Sequence, residues 1–206
     1  MQKNKESIIK STIILFIITS VAAFLLSFIY VKTKQKIKQT EKQKKLKAYS
    51  YIFPNCKFSE EKQIENIHYV EVYDSQKKLK GFIIFAQGNG YSSTIQIAFG
   101  ITMDKKIKAI KVLYQQETPG LGARCEEVKK TETIFDIFSK KKIQKPWFQK
   151  QYENLSLNEI YLKKLNPKGK IEAITGATIT SNAITKAIHK NMKIFLKHFD
   201  ELTKNK

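Results

Sequence analysis

From Ser11 through Val31 the chain carries no charge, and apolar side chains would cover every face of a helix formed by this run, STIILFIITSVAAFLLSFIYV. Such a helix rises about 1.5 Å per residue, so these 21 residues reach about 31 Å, the thickness of a bilayer core. The run exceeds the roughly 7–15 apolar residues of a signal peptide, and no small-x-small cleavage site adjoins it. It reads as a transmembrane helix; the alternative is a buried helix of a soluble protein. Residues 1–10 form a short polar N-terminus. Residues 32–48 form a basic juxtamembrane linker whose only large apolar residues are Ile37 and Leu46. That linker reads as helical and solvated. It either attracts anionic headgroups, at up to roughly 1 kcal/mol per Lys, or serves as a soluble spacer.

Beyond the linker the period of the pattern changes to two. Ile67–Tyr73 alternates, and Asp74-Ser75-Gln76-Lys77-Lys78 signals a turn. Gly81–Ala86, Thr94–Phe99 and Ile107–Tyr114 follow as strands, joined by a glycine-rich loop at Gln87–Tyr91 and a turn at Met103–Lys106. Connections this short make an antiparallel meander. The Gly88-Asn89-Gly90 loop is no dinucleotide fingerprint, because its third glycine would fall at Ser93 and a strand follows. Val128, Thr131, Phe135 and Phe138 fall on one helix face, while Trp147, Phe148 and Tyr152 read as core or as a cap on the sheet. Ile171–Ile174 predicts a short strand. After it, Ile184, Ala187, Ile188, Phe195, Phe199 and Leu202 fit a long amphipathic helix with Thr180 or Ser181 as its N-cap. The fold class is therefore α+β, an antiparallel sheet meander with packed helices over residues 49–206, preceded by one N-terminal transmembrane helix.

Two stretches are richer than connections require. Glu117-Thr118-Pro119-Gly120-Leu121-Gly122-Ala123 sets a proline and two glycines around one apolar side chain, Leu121. That composition suits a backbone that approaches something flat and apolar, or else a strand-to-helix turn. Glu172-Ala173-Ile174-Thr175-Gly176-Ala177-Thr178-Ile179-Thr180-Ser181 places four hydroxyls and a glycine where the last helix begins. A helix N-terminus presents unpaired N–H groups and partial positive charge, which favour a phosphate. A capped helix with incidental hydroxyls is the plainer reading.

Charge narrows the possible partners. The formal net charge is +20, and residues 1–48 hold +9 of it, from eleven Lys against Glu6 and Glu41. Arg124 is the only arginine. Proteins that read nucleic-acid bases favour the bidentate guanidinium, so no nucleic-acid partner is expected. Eight Lys follow the apolar run against three before it, and by a positive-inside count the C-terminal domain would be cytoplasmic. Cys56 and Cys125 form no CxxC pair, and His68, His189 and His198 are too far apart to pair on a helix. Two free thiols, in preference to a single disulfide, and no metal site are expected. No carboxylate pair or Ser/His/Asp set offers a catalytic residue.

Thr175-Gly176-Ala177-Thr178 resembles the [S/T]GAT attachment motif of the covalent FMN-binding domain family, and Glu117–Gly122 is similar to the second signature of that family. With the membrane span and a length of 206 residues, the chain looks most like the G subunits of Rnf-type ion-translocating electron-transport complexes. The resemblance implies FMN joined by a phosphoester to Thr178. The cofactor would be bound by Glu117, Thr118, Gly120, Leu121, Gly122, Thr175, Gly176, Ala177 and Thr180, with Leu121 against the isoalloxazine. It implies a flavin transferase for maturation, which reads an acidic residue ahead of the motif, here Glu172 in place of the usual Asp. It also implies an extracytoplasmic flavin domain on a single-pass plasma-membrane protein, against the lysine count. Its partners would be other subunits of a complex that moves electrons between ferredoxin and NAD, coupled to Na⁺ or H⁺. Two alternatives remain: a stand-alone surface flavoprotein for extracellular electron transfer, and a non-redox basic adaptor at the membrane.

Overall fold

The computed structural model describes residues 2–128 and 145–204, with side chains described from residue 8 onward. Thr131, Phe135 and Phe138, predicted to share a helix face, lie outside the described residues. The chain divides into two compact units, Met1–Lys44 and Lys45–Lys206.

The first unit is helical and belongs to α1 (Gln2–Ile52). Its large apolar residues from Ile8 to Val31 are all exposed, Phe16 by 70% and Phe24 by 72%. Leaving one such side chain in water forgoes about 1.5–3 kcal/mol, and this helix leaves more than a dozen uncovered. By length and composition it suffices to cross a membrane. Two threonine hydroxyls on it are satisfied internally: Thr12 donates to the carbonyl of Ile8 and Thr19 to that of Leu15, each at 2.9 Å. At the end of the run the Lys32 ammonium sits 5.1 Å over the Phe28 ring.

The second unit is built on a six-stranded antiparallel sheet, β1 (Lys57–Phe58), β2 (Lys62–Ile64), β3 (Ile67–Tyr73), β4 (Leu79–Asn89), β5 (Thr94–Thr102) and β6 (Ile107–Tyr114). The order is β1-β3-β4-β5-β6, with β2 pairing the start of β3. The meander is thus as the alternation predicts, with three adjustments. β4 runs on through Gln87, Gly88 and Asn89, so the glycine-rich loop shrinks to residues 90–93. Residues 171–174 form no strand beyond a single parallel bridge from Ile171 to Leu162, because their backbone is held by side chains: Gln151 Oε1 accepts from the Glu172 N–H at 2.8 Å. The strands also bury both faces. Val70, Val72, Ile83 and Ala98 lie beneath Tyr49, Ile52 and Phe53 at the end of α1, while Phe82, Ile84, Ile97 and Phe99 face the last helix.

That helix, α3 (Thr178–Thr203), presses Ile184, Ile188, Met192, Phe195 and Phe199 onto the sheet, with the rings of Phe82 and Phe195 centred 5.1 Å apart. Against β6 and the segment at residues 122–126, a short α2 (Trp147–Lys150) packs Phe148 into the core, followed by Tyr152. Both are fully buried, and the Tyr152 hydroxyl meets that of Thr185 at 2.8 Å. Gln149 Nε2 donates to the Cys125 carbonyl at 2.9 Å, which ties α2 to a 3₁₀ turn at Gly122–Glu126.

Candidate functional site

The two stretches singled out in the sequence meet in space, and a buried carboxylate is what joins them. Glu117 leaves the end of β6 with only 5% of its surface exposed. Its carboxylate accepts the N–H groups of Tyr91, Ser92 and Ser93 at 3.1, 3.0 and 3.1 Å, and the hydroxyl of Thr180 in a short contact. Burial pushes the Glu117 carboxyl up, but the Thr180 hydroxyl and the three N–H groups outweigh it and hold it below the ordinary value. Ser93 adds a second tie, its hydroxyl accepting from the Gln116 N–H at 2.8 Å. The β4–β5 loop, the end of β6 and the first turn of α3 therefore converge on one anion.

Chain geometry supports the convergence. Gly122 is buried, and a Cβ there would lie 2.6 Å from the Thr180 hydroxyl oxygen and 2.8 Å from a Glu117 carboxylate oxygen. Gly176 adopts φ +76°, and a Cβ there would press on Leu121 at 3.0 Å. The turn at 118–123 closes with the N–H of Leu121 on the Thr118 carbonyl at 3.1 Å, which leaves the Leu121 side chain 45% exposed.

The four hydroxyls of the second stretch divide their work. Ser181 is buried; its Oγ accepts from the Ile174 N–H and donates to the Ala177 carbonyl, each at 2.9 Å, bracing the turn that precedes α3. Thr180 is buried and committed to Glu117. Thr175 and Thr178 are exposed. The expected N-cap at Thr180 or Ser181 is corrected: α3 begins at Thr178, Ala177 holds the cap position, and no side chain caps the helix. Thr180 and Ser181 are drawn inward to Glu117 and the 174–177 turn, which leaves the first-turn N–H groups without a capping side chain.

Above this arrangement opens a cavity of about 490 Å³ lined by Tyr91, Glu117, Thr118, Leu121, Gly122, Gly176, Ala177, Thr178, Ile179 and Thr180. Eight of these were expected from the sequence. Gly120, Thr175 and Glu172 do not line it. Gly120 shapes the turn at φ +77°, Thr175 stands exposed beside Gly176, and Glu172 lies on the surface with its carboxylate 2.7 Å from Lys163 Nζ. Sequence reasoning missed Tyr91 and Ile179, which are 75% and 56% exposed. Ile179 had a legible signal, since it falls out of phase with the buried face of its own helix. Tyr91 had none, since a tyrosine in a strand connection is ordinary.

A cleft with exposed Leu121, Ile179 and Tyr91 on its walls and an uncapped helix N-terminus at one end suits a flat aromatic ligand that carries a phosphate. The fold and cleft thus define an α+β cofactor-binding domain behind an N-terminal helix of membrane-spanning length. The chain belongs to the FMN-binding domain family, whose model matches residues 90–193, and the model of the RnfG N-terminal region matches residues 1–52. It is 28% identical over 198 residues to the G subunit of the ion-translocating oxidoreductase complex of Methanosarcina acetivorans, covering 92% of this chain and 94% of the relative. It is 26% identical to the G subunit of the Na(+)-translocating ferredoxin:NAD(+) oxidoreductase complex of Acetobacterium woodii, with 95% of each chain covered. The crystal structure of Shewanella oneidensis NqrC aligns at 20% identity with a TM-score of 0.47, over 66% of this chain and 60% of that one.

Proposed function

We propose that this chain is the membrane-anchored, FMN-carrying subunit of an ion-translocating complex that passes electrons between ferredoxin and NAD. The observation that carries the reading is the meeting of Glu117–Gly122 with Gly176–Thr180 around one cavity, inside the segment that matches the FMN-binding domain. Likeness along nearly the whole chain to the G subunits of an ion-translocating oxidoreductase complex and of a Na(+)-translocating ferredoxin:NAD(+) oxidoreductase complex supports the assignment. A bound flavin supplies the redox chemistry; the protein sets its position and surroundings.

The residues present fit such a group. Thr178 is exposed at the first position of α3 and lines the cavity. Thr180 and Ser181 are engaged inward, and of the two exposed threonines only Thr178 lines the cavity, so it is the hydroxyl placed to accept a flavin phosphoryl group. In that transfer an ester bond forms between Thr178 Oγ and phosphorus, the phosphoanhydride bond of an activated flavin donor breaks, and the hydroxyl proton leaves with the departing phosphate. The N–H groups of the first turn of α3 would hold the phosphate, and Leu121, Ile179 and Tyr91 would offer apolar contact to the ring. Gly120 and Thr175 act by shaping the two turns. Glu172, exposed outside the cavity and paired with Lys163, is the acidic residue that a separate flavin transferase would read.

The proposed division is a polar N-terminus at 1–10, a membrane span at 11–31, a basic linker at 32–48 and a flavin domain at 49–206, with the domain outside the cytoplasm. Solubilising the full chain from its own membranes in mild detergent tests the assignment. Co-purification with multi-span subunits, and flavin fluorescence that survives denaturation, are expected. A fluorescent chain that always purifies alone would make it a stand-alone carrier, and a colourless one a non-redox adaptor. Labelling an engineered surface cysteine in intact cells with an impermeant thiol reagent tests the orientation; protection until lysis would reverse it.

A further inference from the structure

Ile179 is a shared wall. On one side lies the cavity at Thr178, and on the other a second groove of about 330 Å³ between the end of β4 and the first turns of α3. The groove is lined by Gln87, Asn89, Asn182, Lys186 and Lys190, and the proposed flavin chemistry uses none of them.

Its floor is a strand edge that pairs with no strand among the described residues. The ladder between β3 and β4 ends at the pair Tyr69 and Ile84, whereas β4 continues to Asn89 on β5 alone. The Gly90 N–H donates to the Ser93 carbonyl at 2.8 Å. By the alternation of an antiparallel ladder, Gln87 and Asn89 then turn their N–H and C=O groups away from β5. Neither has a backbone partner on that side among the described residues. Folded proteins usually cover or charge such an edge. Here the charge stands on the facing helix, where Asn182, Lys186 and Lys190 stack at intervals of four residues. Both lysines are exposed, and neither forms an ion pair with a carboxylate among the described residues.

We propose that this groove receives an extended, carboxylate-bearing segment of an electron-transfer partner polypeptide, added as a short strand to β4 at Gln87 and Asn89 and neutralised by Lys186 and Lys190. An open edge gives such a segment its main-chain bonds, and the two ammonium groups choose its side chains. A lipid headgroup would satisfy the lysines but has no alternating donors and acceptors for the edge. The proposal deepens the flavin reading and rests on it, since a segment seated here lies one side chain, Ile179, from the cavity of Thr178.

The test is photocrosslinking in native membranes, with a benzophenone amino acid placed in the full chain at Asn182 or, as a control, at exposed Lys108 on β6. An adduct with another membrane polypeptide at 182 but not at 108, mapping to a peptide that contains Asp or Glu, is expected. Gln87→Pro blocks the edge without touching the β5 ladder, and the pair Lys186→Glu and Lys190→Glu inverts the charge. Each should lower the adduct about tenfold while flavin fluorescence after denaturation stays unchanged. Adducts with lipid alone, no adduct, or a yield indifferent to both variants would overturn the proposal while the flavin reading stands. A chain without flavin before any substitution would remove the reading beneath it.

Discussion

The carboxylate of Glu117 accepts the hydroxyl of Thr180 across 63 residues of sequence, and so ties together the two walls of the cavity. Three backbone N–H groups, of Tyr91, Ser92 and Ser93, complete its shell. Three residues past the end of β6, with its carboxylate accepting four donors, it acts as a positioning residue.

Glu117→Gln should therefore cost about 2–4 kcal/mol of stability, because an amide cannot accept four donors and leaves some of them buried and unpaired. The sign of the pH dependence follows from the lowered carboxyl. Its contribution is complete above the ordinary carboxylate range and is lost as pH falls through the lowered folded value. Thermal unfolding of the detergent-solubilised chain should show the gap between wild type and Glu117→Gln narrowing as the pH is lowered from neutral to below the ordinary carboxylate range. A gap independent of pH would contradict a charged Glu117.

Gly122→Ala should reduce flavin loading and destabilise by about 1–3 kcal/mol, since the new methyl meets Thr180 and Glu117 at 2.6 and 2.8 Å. Gly120→Ala separates backbone strain from crowding: its φ is +77° but no atom lies within 4 Å of a Cβ there, so only about 1 kcal/mol is expected. Chemical denaturation with flavin absorbance on the same samples distinguishes the two.

The two cysteines should differ sharply. Cys125 is fully buried, and burial pushes its thiol up to about 12, with Glu126 and Glu117 adding to the shift. Cys56 is partly exposed and also free. A maleimide at neutral pH should label Cys56 alone in the folded chain and both thiols after denaturation, read by peptide mass. Equal labelling of both in the folded state would contradict the packing of α2 on the 122–126 turn.

Much of this was legible in the chain itself, for identifiable reasons. The long apolar N-terminal helix and the four long strands follow from apolar period and turn residues, which act locally. That Thr178, Leu121 and Gly122 would gather around one cavity was legible because short motifs carried them. The role of Glu117 as a joint was not, because it depends on the hairpin loop at 90–93 reaching it from more than twenty residues away. The N-cap was misplaced for the same reason: Thr180 and Ser181 are good capping residues locally, but tertiary partners claim their hydroxyls. The run of β4 through Gly88 was hidden by its glycines, and Gly88 is there because a Cβ would meet the Ala183 carbonyl of α3 at 2.6 Å.

Glu172→Ala should lower the fraction of chain that acquires flavin while leaving stability within about 0.5 kcal/mol, because the side chain is exposed. Glu172→Asp should restore or raise that fraction. Co-expression with a flavin transferase at limiting level, read by intact mass, reports both. A modified fraction unchanged in Glu172→Ala would remove this residue from transferase recognition.

Intact mass under denaturing conditions, after co-expression with a flavin transferase, tests the central claim most directly. Wild type should carry the added mass of one FMN phosphoester, located at Thr178 by fragmentation. Thr178→Val should lack it while unfolding within about 0.5 kcal/mol of wild type, because the side chain is exposed. A wild-type chain with no added mass, or an adduct that persists in Thr178→Val, would contradict the account.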